Sequence, residues 1–137
     1  MVTAKTTAKA VVLVIDDQPG IRRLLTEVLA DDGHEVVTAE NGYEGIQLAE
    51  KLKPAVILMD MKMPGMDGIE TLRELKRMGQ HDKVIMMTAY GELEMVNQAQ
   101  QLGAYAYIIK PFDIVNLCRM VNEQVVGTDR ERKLMIG

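Results

Sequence analysis

The chain is poor in metal-binding and cross-linking side chains. Cys118 is the single cysteine in 137 residues, which excludes an internal disulfide and a zinc site built on several thiols. Cys118 itself reads as a helix-face packing residue. His34 and His81 are the two histidines; they share no recognisable metal spacing, and both read as surface or strand-end residues. Basic charge is not in excess. The formal net charge of −4 argues against a general binder of nucleic acid or of anionic membranes. No apolar run is long enough to span a bilayer. Met1 to Ala10 lacks the apolar centre of a secretory signal and reads as a flexible leader. A cytoplasmic setting follows as the default, with no direct nucleic-acid or membrane partner. Repeats and low-complexity segments are absent.

What is present fits one globular domain, with 47% hydrophobic residues to build a core. The informative stretch is Val56-Ile57-Leu58-Met59-Asp60. Four apolar residues without a polar break suit a strand covered on both faces, and Asp60 stands where that strand ends. Pro64-Gly65 then marks a turn. Val11 to Ile15 reads as an earlier buried strand ending in Asp16-Asp17. Pro19 suits the first turn of the helix that follows, with Ile21, Leu24, Leu25, Val28 and Leu29 as its apolar stripe. His34 to Thr38 is a second strand. Asn41-Gly42 opens a helix with Ile46, Leu48, Ala49 and Leu52 as its buried face.

Beyond Gly68, residues up to Met78 form a third helix that closes near Gly79. Val84 to Met87 is the fourth strand, with Thr88-Ala89 at its end. Gly91-Glu92 starts a fourth helix containing Leu93, Met95, Val96, Ala99 and Leu102. Ala104 to Ile109 is the fifth strand, and Lys110-Pro111 follows it. The last helix runs from Phe112 to Val126, and Gly127 stops it. Residues 11–127 therefore form the domain, preceded by the leader at 1–10 and followed by a charged tail at 128–137.

Strand and helix alternate five times, which implies a doubly wound α/β fold with a parallel sheet and helices on both faces. In flavodoxin-like order, 2-1-3-4-5, the first, third, fourth and fifth strands are neighbours, and ligands bind at their carboxyl ends. Asp16, Asp17, Asp60, Thr88 and Lys110 would all converge there. Three close carboxylates repel one another and call for a cation or a proton. An all-oxygen set of this size suits Mg²⁺, with Mn²⁺ as the alternative. A transferring phosphoryl group has oxygens for the metal, for the Lys110 ammonium, and for the Thr88 hydroxyl with nearby backbone amides. Asp60 is then the nucleophile, and positioning and charge neutralisation carry the chemistry.

These residues resemble the receiver domain of bacterial response regulators, the CheY-like family. The matching segments are Val14 to Asp17, Leu58 to Gly68, Met87-Thr88-Ala89 and Lys110-Pro111-Phe112. Within the family the chain looks most like the single-domain regulators of the sporulation phosphorelay. Asp16-Asp17-Gln18, Gly20-Ile21-Arg22, Leu24-Leu25, Asp60-Met61-Lys62, Met87 to Leu93 and Lys110 to Ile114 carry that likeness. Pro19 departs from an aromatic residue in that relative, and Tyr107 from a histidine.

The resemblance implies further roles. Asp60 would accept a phosphoryl group from a phosphohistidine on a sensor histidine kinase or histidine phosphotransferase. Asp16, Asp17, Asp60 and the backbone carbonyl of Lys62 would ligate Mg²⁺. Thr88 and Lys110 would hold phosphoryl oxygens, and the small Ala89 would leave the pocket open. A cis Lys110-Pro111 bond is expected. Thr88 and Tyr107 would form the switch, biasing the face made by the fourth helix, fifth strand and fifth helix. Lys62 and Tyr90 would set the lifetime of the phosphorylated form. Gln18, Pro19, Gly20, Ile21, Leu24, Pro111 and Phe112 would border the pocket and receive a helical hairpin that presents the histidine. Such a domain assists its own phosphorylation and dephosphorylation and is not a turnover enzyme. Two other readings use the same residues: a receiver cut from a longer transcription regulator, and an aspartyl-nucleophile phosphatase. The phosphatase pattern wants a second Asp two residues after the first, whereas Asp16 and Asp17 are adjacent.

Overall fold

The computed structural model describes residues 10–136. The leader expected at 1–10 lies outside them except for its last residue. The described chain alternates strictly: β1 Val11–Ile15, α1 Pro19–Asp31, β2 Glu35–Ala39, α2 Gly42–Leu52, β3 Val56–Asp60, α3 Gly68–Arg77, β4 Val84–Thr88, α4 Leu93–Gln101, β5 Ala106–Ile109 and α5 Ile114–Ile136. The five strands form one parallel sheet in the order β2-β1-β3-β4-β5, so the flavodoxin-like expectation holds.

Strand periodicity divides the core into two layers. Leu13, Ile15, Ile57, Met59, Val84 and Met86 point to one face, against Ala49 of α2, Leu72 and Leu75 of α3, and Val96 and Ala99 of α4. Val12, Val14, Val56, Leu58, Ile85 and Met87 point to the other, against Leu25 and Leu29 of α1 and Leu117, Val121 and Val125 of α5. Both layers cover β3 and β4 completely, and every residue of these two strands is buried. That is why they read as unbroken apolar runs ending in Asp60 and Thr88.

Several element limits differ from the sequence reading. His34 stands just before β2, a strand-end residue as expected, but it is buried rather than at the surface. Its Nε2 lies 2.8 Å from Asn122 Oδ1, which ties the entry to β2 onto α5. Leu52 is exposed, so it does not belong to the buried face of α2. A single 3₁₀ turn at Tyr90–Glu92 precedes α4, which therefore begins at Leu93 rather than Gly91. Gly127 does not stop the last helix, and residues 128–136 continue α5 rather than forming a separate tail. Glycine costs a helix interior about 1 kcal/mol, and the next turn has its own anchor. Thr128 is buried and its hydroxyl donates to the Ala55 carbonyl at 3.2 Å. No helix among the described residues is long and apolar enough to cross a membrane.

Candidate functional site

Parallel pairing brings the strand ends to one edge. β1 and β3 pair through Ile15 and Met59, so Asp16 and Asp60 emerge side by side. Asp60 itself pairs with Met87, and Thr88 pairs with Ile109. Lys110 then follows β5 with its amide donating to the Thr88 carbonyl at 2.7 Å. The topology thus gathers Asp16, Asp17, Asp60, Thr88 and Lys110 at the carboxyl edge, as the sequence predicts.

The carboxylates are close. One oxygen from each of Asp16, Asp17 and Asp60 lies within 4.8 Å of the other two. Lys110 Nζ reaches across to Asp60 Oδ1 at 3.0 Å and Asp16 Oδ2 at 3.3 Å. The Lys110-Pro111 peptide is cis, as the resemblance implies. Burial, together with the charges of Asp16 and Asp17, pushes the Asp60 carboxyl up from 3.8 to about 6, although the Lys110 hydrogen bond opposes the rise. Burial pulls the Lys110 ammonium down, but its bonds and charge contacts with Asp60 and Asp16 outweigh that and hold it above the ordinary lysine value. When all are ionised, three carboxylates face one ammonium, and this surplus of negative charge fits a divalent cation with oxygen ligands.

The first carboxylate is fixed by its own backbone. Asp16 Oδ1 accepts from the Gln18 amide at 2.9 Å, and Arg22 Nη1 donates to the Asp16 carbonyl at 2.8 Å. Gly68 shapes the loop that follows Asp60. A Cβ there would sit 2.7 Å from the Asp60 carbonyl oxygen and 2.8 Å from that of Met61, so the backbone packs where only glycine fits. Asp67 then caps α3 and forms a reciprocal capping box with Glu70. The four methionines near Asp60 divide: Met59, Met61 and Met63 are buried, while Met66 is half-buried.

Thr88 does not stand free. Its Oγ lies 3.0 Å from Glu92 Oε1 and 3.3 Å from the Ala89 carbonyl. The same Glu92 oxygen accepts from the Ala89 amide at 2.9 Å. Lys62 Nζ lies 3.9 Å from the other Glu92 oxygen, with the lysine side chain 69% exposed. Sequence reading gives Glu92 no role at the site; it appears there as the opening of a helix and within the Met87 to Leu93 likeness. Its spacing of four residues from Thr88 is the available signal, but it becomes a contact only through the 3₁₀ turn.

The outer residues fall in two groups. Gln18, Pro19 and Gly20 are exposed on the rim. Ile21, Leu24, Lys110, Pro111 and Phe112 line a cavity of about 360 Å³, and Leu24 is 40% exposed. Tyr107 stands exposed on β5. Tyr90 lies in the 3₁₀ turn, and its side chain is outside the described ones.

The response regulator receiver domain family matches residues 12–122. The chain is similar to sporulation initiation phosphotransferase F of Bacillus subtilis, with 47% identity over 75% of this chain and 83% of that protein. It is also similar to the regulatory protein AtoC of Escherichia coli, with 42% identity over 77% of this chain and only 23% of that longer protein. Among solved structures, a response regulator receiver domain protein from Clostridium thermocellum aligns with a TM-score of 0.80 and 33% identity, covering 92% of this chain and 98% of that one.

Proposed function

This chain belongs to the response regulator receiver domain family, and from that premise we propose that Asp60 is its phosphoacceptor, fed by a phosphohistidine on a sensor histidine kinase or a histidine phosphotransferase. The observation that carries the reading is the convergence of Asp16, Asp17, Asp60 and Lys110 at one sheet edge. An Asp60 carboxylate oxygen attacks phosphorus. The new P–O bond forms as the P–N bond to the histidine breaks, and the electron pair returns to the imidazole. The product is an acyl phosphate, with no change of oxidation state. Lys110 stays with the carboxylates and offers its ammonium to a phosphoryl oxygen, while the Thr88 hydroxyl and nearby backbone amides take another.

Asp16, Asp17, Asp60 and the Lys62 backbone carbonyl would hold Mg²⁺, or Mn²⁺. Bound there, the ion supplies charge neutralisation and Lewis-acid contact to a phosphoryl oxygen. The cavity beside Leu24 and Phe112 would receive an apolar ridge of the helical hairpin that carries the histidine. Thr88 and Tyr107 act as the switch, so that phosphorylation biases the face formed by α4, β5 and α5. Lys62 and Tyr90 set the lifetime of the acyl phosphate. The protein works in the cytoplasm, assists its own phosphorylation and dephosphorylation, and turns over no outside substrate. A receiver role inside a longer transcription regulator is the second reading, supported by the likeness to AtoC, of which this chain spans 23%.

Intact mass after incubation with Mg²⁺ and acetyl phosphate tests the reading. One added phosphoryl group on the parent and none on Asp60→Asn is expected, with faster loss of that group from Lys62→Asn. Equal labelling of parent and Asp60→Asn would exclude Asp60 as acceptor, and an unchanged decay in Lys62→Asn would remove Lys62 from control of the lifetime.

A further inference from the structure

The donors that a phosphoryl oxygen needs on the β4 side are already taken. Glu92 Oε1 accepts the Ala89 amide at 2.9 Å and lies 3.0 Å from Thr88 Oγ. The threonine hydroxyl has one proton to give. Its other neighbour, the Ala89 carbonyl, is farther at 3.3 Å and carries no formal charge, so the carboxylate is the stronger partner. One anionic oxygen therefore spans a hydroxyl and an amide, as a phosphoryl oxygen would. The Glu92 side chain is only 10% exposed, and Lys62 Nζ stands 3.9 Å from its second oxygen. The arrangement is thus sheltered and partly charge-balanced.

We propose that Glu92 is a positioning residue that occupies the phosphoryl cradle at rest: its carboxylate holds the Thr88 hydroxyl and the Ala89 amide, and it has to withdraw before a phosphoryl oxygen can take them. The proposal rests on Asp60 being the acceptor. Its consequence is competitive. Every phosphoryl group, or mimic of one, spends part of its binding free energy on displacing Glu92, and the apparent affinity falls by the fraction of molecules still latched. The latch also restrains the switch, because Thr88 cannot move toward the acceptor while Glu92 holds it. Lys62 remains beside the departing carboxylate and gives it a partner outside the cradle.

Beryllofluoride with Mg²⁺, an equilibrium mimic of the acyl phosphate, provides the test. Its apparent dissociation constant is measured for the parent, Glu92→Ala, Glu92→Gln and the exposed neighbour Glu94→Ala, with thermal stability recorded for each. Glu92→Ala should bind beryllofluoride about tenfold more tightly, the equivalent of one charge-assisted hydrogen bond no longer broken. Glu92→Gln keeps an acceptor for the Ala89 amide but loses the charge, and should fall between Glu92→Ala and the parent. Glu94→Ala should match the parent. The Ala89 amide resonance should shift in the free Glu92→Ala protein and shift less than in the parent on adding beryllofluoride. A merely structural Glu92 would give lower stability with unchanged or weaker binding, and that result overturns the latch. No binding by the parent removes the acceptor reading, and the latch with it.

Discussion

Asp60 holds its proton more tightly in the folded protein than in the unfolded chain, because burial and the neighbouring carboxylates lift its carboxyl from 3.8 to about 6. A raised carboxyl favours the fold at low pH, and that contribution is lost as pH rises from about 4 through about 6. Asparagine at this position has no charge to bury. In chelator-containing buffer, the stability of Asp60→Asn relative to the parent should therefore grow between pH 4 and pH 7. The expected gain is on the order of 1–2 kcal/mol after allowance for solvent screening. Denaturant titrations at both pH values check it, and a pH-independent difference would contradict the strained carboxylate. Residues of this kind were legible from sequence, because Asp16, Asp60 and Lys110 each punctuate an apolar strand. Glu92 and His34 were not. Glu92 meets Thr88 four residues away only through a 3₁₀ turn that spacing alone does not announce, and His34 meets Asn122 through a contact between α5 and the start of β2 that no local pattern encodes.

At the scale of elements, the loop between β3 and α3 is tightly constrained. The Gly68 amide donates to the Met61 carbonyl at 2.8 Å, and its Cα faces the Asp60 and Met61 backbone with no space for a methyl group. Gly68→Ala should destabilise the protein by roughly 1–3 kcal/mol and slow phosphoryl uptake, because the displaced loop carries the Lys62 carbonyl. Thermal melts and acetyl phosphate labelling check both effects, and unchanged values in both would show that the loop yields cheaply. The first helix offers a different prediction. Leu24 is exposed beside Ile21, Pro111 and Phe112, whereas Leu25 and Leu29 are fully buried. Leu24→Ala should thus impair transfer from a phosphohistidine protein several-fold while leaving small-molecule phosphorylation intact. Equal loss of both activities would place Leu24 in the fold rather than the interface. The apolar stripe of α1 was evident from spacing, but its division into core and rim was not, because periodicity marks a face without saying how far the neighbouring helix covers it. Gly127 misled for a related reason. A local helix breaker was outweighed by the burial of Val125 and Thr128 on either side of it.

For the whole molecule, the strand order does the organising. Inserting β1 between β2 and β3 puts Asp16 next to Asp60, and the β4–β5 pair delivers Lys110 across Thr88. Residues as far apart as Asp16 and Lys110 then meet at 3.3 Å. This architecture was readable because fully buried strands give continuous apolar runs, and the alternation with helices admits few topologies. The sheet edge carries the carboxylates and the ammonium at or just beyond strand ends, while the rim residues sit on loops and α1. Chemistry and recognition meet at Lys110, which lines the cavity as well as binding the carboxylates, whereas Asp60 and Leu24 should respond separately to mutation. On the proposed function, Asp60 receives the phosphoryl group. Borohydride reduction of the phosphorylated protein, followed by peptide mapping, tests it most directly, since an aspartyl phosphate is converted to homoserine where it stood. Homoserine at position 60, and none without the phosphoryl donor, is the predicted result; homoserine at position 16 or 17, or a phosphorylated protein with Asp60 unmodified, would contradict it.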